Sequence, residues 1–95
     1  RIRAIDGDTP IAPGLTAIRV GGHTPGSQML VVHTDEGTSV LSGDAIPLHR
    51  NYLENIPSGF VVNTVEATPA LDRVRALHPV AIYTAHDLQP CLRPA

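Results

Sequence analysis

Three residues of this 95-residue chain are suited to metal chemistry. His23 lies in the turn "GGHTPGS" (21–27), Asp44 closes "SGD" (42–44), and His86 sits in "TAHD" (84–87). Each is at or just past the end of a run that reads as a β-strand. An imidazole, a carboxylate and a second imidazole form an N/O set that suits zinc, iron or manganese. Loops at one edge of a rigid sheet can bring such groups to one point. The plainer alternative is a structural Asp in a turn beside two ordinary histidines. Spread over 64 residues, the three are no compact motif like C-x-x-C. The surroundings of His23 favour the ligand reading. Gly21, Gly22 and Gly26 allow positive φ and close backbone approach, and Pro25 stiffens the turn. Thr24 and Ser27 suit its stabilisation.

The elements that would position these residues follow from pattern. "DTPIA" reads as a short extended piece, followed by a Pro-Gly turn at 13–14 and a strand over 15–20. Ile18 and Val20 share one face of that strand, and Arg19 points the other way, to solvent. "QMLVVHT" (28–34) is a nearly unbroken apolar run, as in a strand covered on both faces. "DEG" (35–37) is a hairpin turn, so 28–34 pairs antiparallel with 38–44. Residues 45–63 lack a sustained period, and read as a long irregular segment with room for one helical turn. Loops this long in a small domain tend to serve function. Thr68 is a cap for a helix opening on Pro69. Any helix running from about Asn63 would be kinked by Pro69. Leu71, Val74, Leu77 and His78 would form its apolar face. A strand over 80–87 follows, and a Pro-rich tail frays. Strands followed by a helix and a strand make this an α/β arrangement, with helix packed on sheet.

Composition narrows the function classes. The length allows one small domain with a thin core. No apolar run spans a membrane. The seven basic residues are all Arg and scattered, so no basic stripe exists for nucleic acid. The single Cys91 excludes an internal disulfide and reads as a free thiol near a loose end. A reducing cytoplasm is the expected compartment. The chain opens on Arg1 without Met or a signal-peptide pattern, and reads as a piece of something longer or a processed product. His33 reads as an exposed strand residue beside the hairpin turn, and His78 as a helix-end residue. Asp87 is either a partner for neighbouring backbone or support for a ligand histidine.

"GGHTPGSQMLVVHTDEGTSVLSGDAI" and "AIYTAHD" closely resemble the metallo-β-lactamase superfamily. Within it, "HTPGSQ" and the terminal "HD" are most similar to the N-acyl homoserine lactone lactonases. The resemblance runs from about Asp8 to Asp87 and implies the C-terminal half of an αββα sandwich, with residues 1–95 as one partial domain. It implies His23 as a ligand of a first metal, Asp44 as a carboxylate bridging two metals, and His86 as a ligand of the second. Two divalent metals are implied, zinc first, with manganese and iron as alternatives. The implied reaction is hydrolysis of a lactone, ester or thioester by a metal-bridging hydroxide. The segment after Asp44 lines the substrate pocket in that family, which makes His49, Tyr52 and Phe60 candidate contacts to a small ester or lactone.

Two departures qualify the resemblance. The family's His-x-His-x-Asp-His motif is absent, because no two histidines here are two residues apart. The implied site is therefore incomplete without another half. Some lactonases also carry a Tyr three residues after the bridging Asp, where this chain has Pro47. The chain alone is expected to be inactive. The alternatives are a non-catalytic fragment or subunit that associates through an exposed sheet or helix face, and a redox or nuclease member of the superfamily.

Overall fold

The computed structural model describes residues 1–94. Six strands form one sheet in sequential order: β1 (Thr9–Ala12), β2 (Leu15–Arg19), β3 (Gln28–Thr34), β4 (Gly37–Gly43), β5 (Ala81–Thr84) and β6 (Cys91–Leu92). Two helices, α1 (His49–Leu53) and α2 (Thr64–Ala76), lie between β4 and β5. Pairing is antiparallel except between β4 and β5, which are parallel. This is the antiparallel-rich α/β sheet with a packed helix that the sequence implied.

Direction decides where the strand ends meet. β2 and β4 both run antiparallel to β3, so they run parallel to each other, and β5 runs with β4. The C-terminal ends of β2, β4 and β5 therefore share one edge of the sheet. The segments after those ends carry His23, Asp44 and His86.

The core lies between one sheet face and α2. Met29, Val31, Val40 and Ile82 meet Ala70, Leu71 and Val74, with Ile46 buried among them. Alternation sends Leu41 and Tyr83, register partners in β4 and β5, to the opposite face. They are 41% and 40% exposed. Leu30 and Val32 on that face of β3 are only half-buried, so β3 is covered fully on one side rather than on both.

The ends of the elements depart from the sequence pattern. α2 starts at Thr64, because the Asn63 side chain accepts the N–H groups of Val65 and Glu66. Pro69 sits inside the helix on its exposed side, where its missing N–H leaves one carbonyl to solvent. The buried face is Ala67, Ala70, Leu71 and Val74. His78 lies off it, past the helix end at φ 48°, with its N–H on the Arg75 carbonyl. The tail does not simply fray: Cys91 and Leu92 pair with Tyr83 and Ile82. β5 stops at Thr84, so His86 belongs to the turn after it. No helix among the described residues is long and apolar enough to cross a membrane.

Candidate metal centre

His23 is held by its turn and by the loop before α2. Ser27 closes the turn, with its N–H on the Thr24 carbonyl and its hydroxyl accepting the Thr24 N–H at 2.9 Å. Gly21 and Gly22 have φ of 65° and 84° and lie directly against the first turn of α2. A Cβ at Gly21 would come within 2.0 Å of Glu66 Oε2, and one at Gly22 within 3.1 Å of the Ala67 Cα. The glycines are there because a helix start packs on the turn. Arg19 belongs to the same contact rather than to solvent: its Nε–H donates to the Pro25 carbonyl, and its guanidinium pairs with Glu66 at 2.5 Å.

The main-chain carbonyl of Phe60 receives Nδ1 of His23. A carbonyl only accepts, so Nδ1 carries the proton and Nε2 keeps its lone pair. That Nε2 faces Asp44, with Oδ2 at 3.5 Å. The other Asp44 oxygen, Oδ1, lies 2.6 Å from Nε2 of His86. One carboxylate thus stands between two imidazoles, with one oxygen toward each. The His86 N–H is fixed by the Pro47 carbonyl at 3.0 Å.

The donor chemistry fits a divalent ion, and the spacing fits in part. Two donors each about 2.0–2.2 Å from a tetrahedral ion stand roughly 3.3–3.6 Å apart. The His23–Asp44 separation matches that range. The His86–Asp44 separation is that of a direct hydrogen bond and must open to admit an ion. Among the described residues, no group of three or more His, Cys, Asp or Glu side chains is arranged to hold a metal ion.

Beside the three residues is a cavity of about 420 Å³, walled by Pro47, Leu48, Asn51, Ser58, Gly59 and Phe60. Of the residues anticipated as substrate contacts, Phe60 lines it and is 84% exposed. His49 and Tyr52 are not among the lining residues. The His49 N–H donates to Asp87 Oδ2 at 2.9 Å, and the buried Nε2 of its ring has no partner among the described residues. Asp87 also accepts the Gln89 N–H, and the N–H of His49, more than any other neighbour, holds its carboxyl below the usual range. Tyr52 lies under the Arg75 guanidinium, 4.5 Å from ring centroid to charge. Leu48, Asn51, Ser58 and Gly59 escaped the sequence reading. Nothing in an aperiodic segment marks its inward side, and only the short α1 turns Leu48 and Asn51 toward the cavity. Asn51 also ties that turn, accepting the Leu48 N–H and donating to the Ile56 carbonyl.

Comparison with known proteins gives a consistent result. No protein-family model matches the chain. An N-acyl homoserine lactonase of a Bacillus species is 28% identical over 92% of this chain and 36% of its own length. N-acyl homoserine lactonase AiiA of Bacillus thuringiensis subsp. kurstaki is 30% identical with the same coverage. The chain thus spans about a third of the length of the curated relatives it matches. Among solved structures, an N-acyl homoserine lactone hydrolase with N-hexanoyl-L-homoserine at its catalytic metal centre superposes with a TM-score of 0.74. It shares 28% identity, covering 88% of this chain and 35% of that one. A probable metal-dependent hydrolase from Staphylococcus aureus superposes with a TM-score of 0.80 at 14% identity, over 94% of this chain and 34% of that one, which shows a shared fold.

Proposed function

We propose, from the premise that this chain belongs to the metallo-β-lactamase superfamily, that it carries one part of a metal-dependent hydrolase site acting on a small lactone, ester or thioester. The observation that supports this most is Asp44, whose two oxygens face Nε2 of His23 and Nε2 of His86. A carboxylate so placed is suited to bridge two ions, with one imidazole serving each. His23, Asp44 and His86 would hold the metals, zinc first, with manganese or iron as alternatives. Divalent ions bound there would supply Lewis acidity and a lowered water pKa.

The rest is done by the chain itself. The Phe60 carbonyl keeps the His23 lone pair aimed at the site. Pro47, Leu48 and Phe60 give the cavity apolar walls suited to the apolar part of a substrate. The remaining ligands come from outside these residues, consistent with the third of the relatives' length that the chain spans. The half-exposed sheet face around Leu41 and Tyr83 is the surface on which the rest of such a domain would pack. That face also supports a second reading, a non-catalytic piece that self-associates.

The test uses the protein that contains all the ligands. His23→Ala, Asp44→Ala and His86→Ala should each abolish stoichiometric zinc or manganese binding, and lower kcat/KM on a lactone and ester panel by about a hundredfold or more. Unchanged metal content and turnover would remove these residues from the site. The chain alone should bind metal weakly and show no turnover above background.

A further inference from the structure

The turn carrying His23 lies inside a closed ring of polar contacts that runs through α2. Arg19 donates its Nε–H to the Pro25 carbonyl at 2.9 Å, on the far side of His23 in the chain. Its guanidinium then pairs with Glu66 Oε2 at 2.5 Å. Glu66 Oε1 accepts the Asn63 Nδ2–H at 2.9 Å. Asn63 and Val62 donate their main-chain N–H groups to the Gly22 carbonyl at 3.1 and 2.9 Å, immediately before His23. Both flanks of the His23 turn are thus tied to one carboxylate, and Gly21 leaves room for it, since a Cβ there would overlap Glu66 Oε2.

We propose that Glu66, acting through Arg19 and Asn63, is a positioning residue that holds the His23 turn in its ligand-presenting geometry. This rests on the metal-site reading given above. Glu66 touches neither Asp44 nor the cavity, so it acts on the site only through the turn. Glu66 and Arg19 have side chains 27% and 40% exposed, and pairs this exposed contribute little to global stability. Their effect is local. Without the Glu66 charge the turn keeps its closure at Ser27, the main-chain bonds from Val62 and Asn63 to the Gly22 carbonyl and the His23–Phe60 contact. Arg19, however, loses the partner that ties the Pro25 flank to α2, so the turn is freer to shift relative to Asp44.

The experiment compares Glu66→Gln with Asp8→Asn in the full-length protein that carries this chain. Gln keeps an oxygen for Asn63 and removes the charge facing Arg19. Asp8 pairs with Arg73 and accepts the main-chain N–H of Arg19, without touching the turn. Amide hydrogen exchange of residues 20–24, 26, 27, 62 and 63 needs no metal. In Glu66→Gln these amides should exchange about tenfold faster or more, with β3 and β4 amides unchanged. Asp8→Asn should leave them as they were. Zinc affinity by chelator competition should fall about tenfold in Glu66→Gln and stay constant in Asp8→Asn, at closely similar melting temperatures. Equal exchange in wild type and Glu66→Gln overturns the positioning role. So does faster turn exchange with zinc affinity retained. A wild-type protein that binds no zinc overturns the metal reading, and the exchange comparison still decides whether Glu66 holds the turn.

Discussion

Phe60 presents its main-chain carbonyl to Nδ1 of His23 and, itself 84% exposed, lines the cavity. Orientation of the imidazole and lining of the cavity therefore come from different atoms of one residue. Phe60→Ala should leave zinc affinity within about twofold of wild type and change stability by less than about 0.5 kcal/mol. In the complete protein of the proposed function, KM for an apolar ester or lactone should rise severalfold. Metal titration and steady-state kinetics on the same preparations separate the two effects. A large loss of metal affinity would mean that the ring, and not the carbonyl, orients His23.

Gly21 and Gly26 flank His23 in the same turn but differ in what they need. Gly21 combines φ 65° with a carboxylate where its Cβ would be, and Gly26 has no atom within 4 Å of that position. Gly21→Ala should cost about 1–3 kcal/mol. Gly26→Ala should fall within about 0.5 kcal/mol of wild type. Denaturant unfolding of the two variants measures the difference, and equal costs would mean that Glu66 moves aside without penalty.

Local signals in the sequence located much of this fold, and its long-range contacts escaped them. β3 and its hairpin were legible because an apolar run and "DEG" act within a few residues. The parallel pairing of β4 with β5 was not, because it depends on how the long connection through α2 crosses the sheet. Pro69 masked the real cap at Asn63, where side-chain acceptors outweigh one missing helical hydrogen bond. Alternation sent Arg19 to solvent, and only tertiary structure supplies Glu66 as its partner. His23, Asp44 and His86 stood out through residue type and strand-end position. His49 and Tyr52 lie in an aperiodic segment, where no pattern tells an inward residue from one facing α2.

Asp8 gives the fold a defined pH response. Its hydrogen bond with Arg73 and the main-chain N–H of Arg19 hold its carboxyl below the ordinary carboxylate range. A depressed folded-state pKa contributes stability that is present above the unfolded pKa, about 3.9, and is lost as pH falls through the folded value. The side chain is 48% exposed, so screening limits the contribution to below about 1 kcal/mol. Asp8→Asn should be slightly less stable than wild type at pH 7. The gap should close as pH falls through the carboxylate range and shrink in high salt. Unfolding curves across pH test this, and a gap that widens in acid would contradict it.

Arg75 couples α2 to the cavity wall through Tyr52. Its guanidinium lies over the Tyr52 ring, donates to the Tyr52 carbonyl, and reaches Asn55 Oδ1 at 2.8 Å. These contacts fix the end of α1, the helix that begins beside Leu48 and contains Asn51. Lysine keeps the charge but cannot stack and donate twice from one plane. Arg75→Lys should therefore cost about 1–2 kcal/mol and raise KM more than it lowers kcat. Tyr52→Ala should cost at least as much. The Arg75→Lys/Tyr52→Ala double variant should lose clearly less than the sum of the two, because each single change already breaks the same stack. Tyr52→Phe keeps the ring and should preserve both stability and kcat/KM. Additive losses in the double variant would separate Arg75 from Tyr52. A kcat/KM loss confined to Tyr52→Phe would make the phenol a substrate contact instead of a support for the wall.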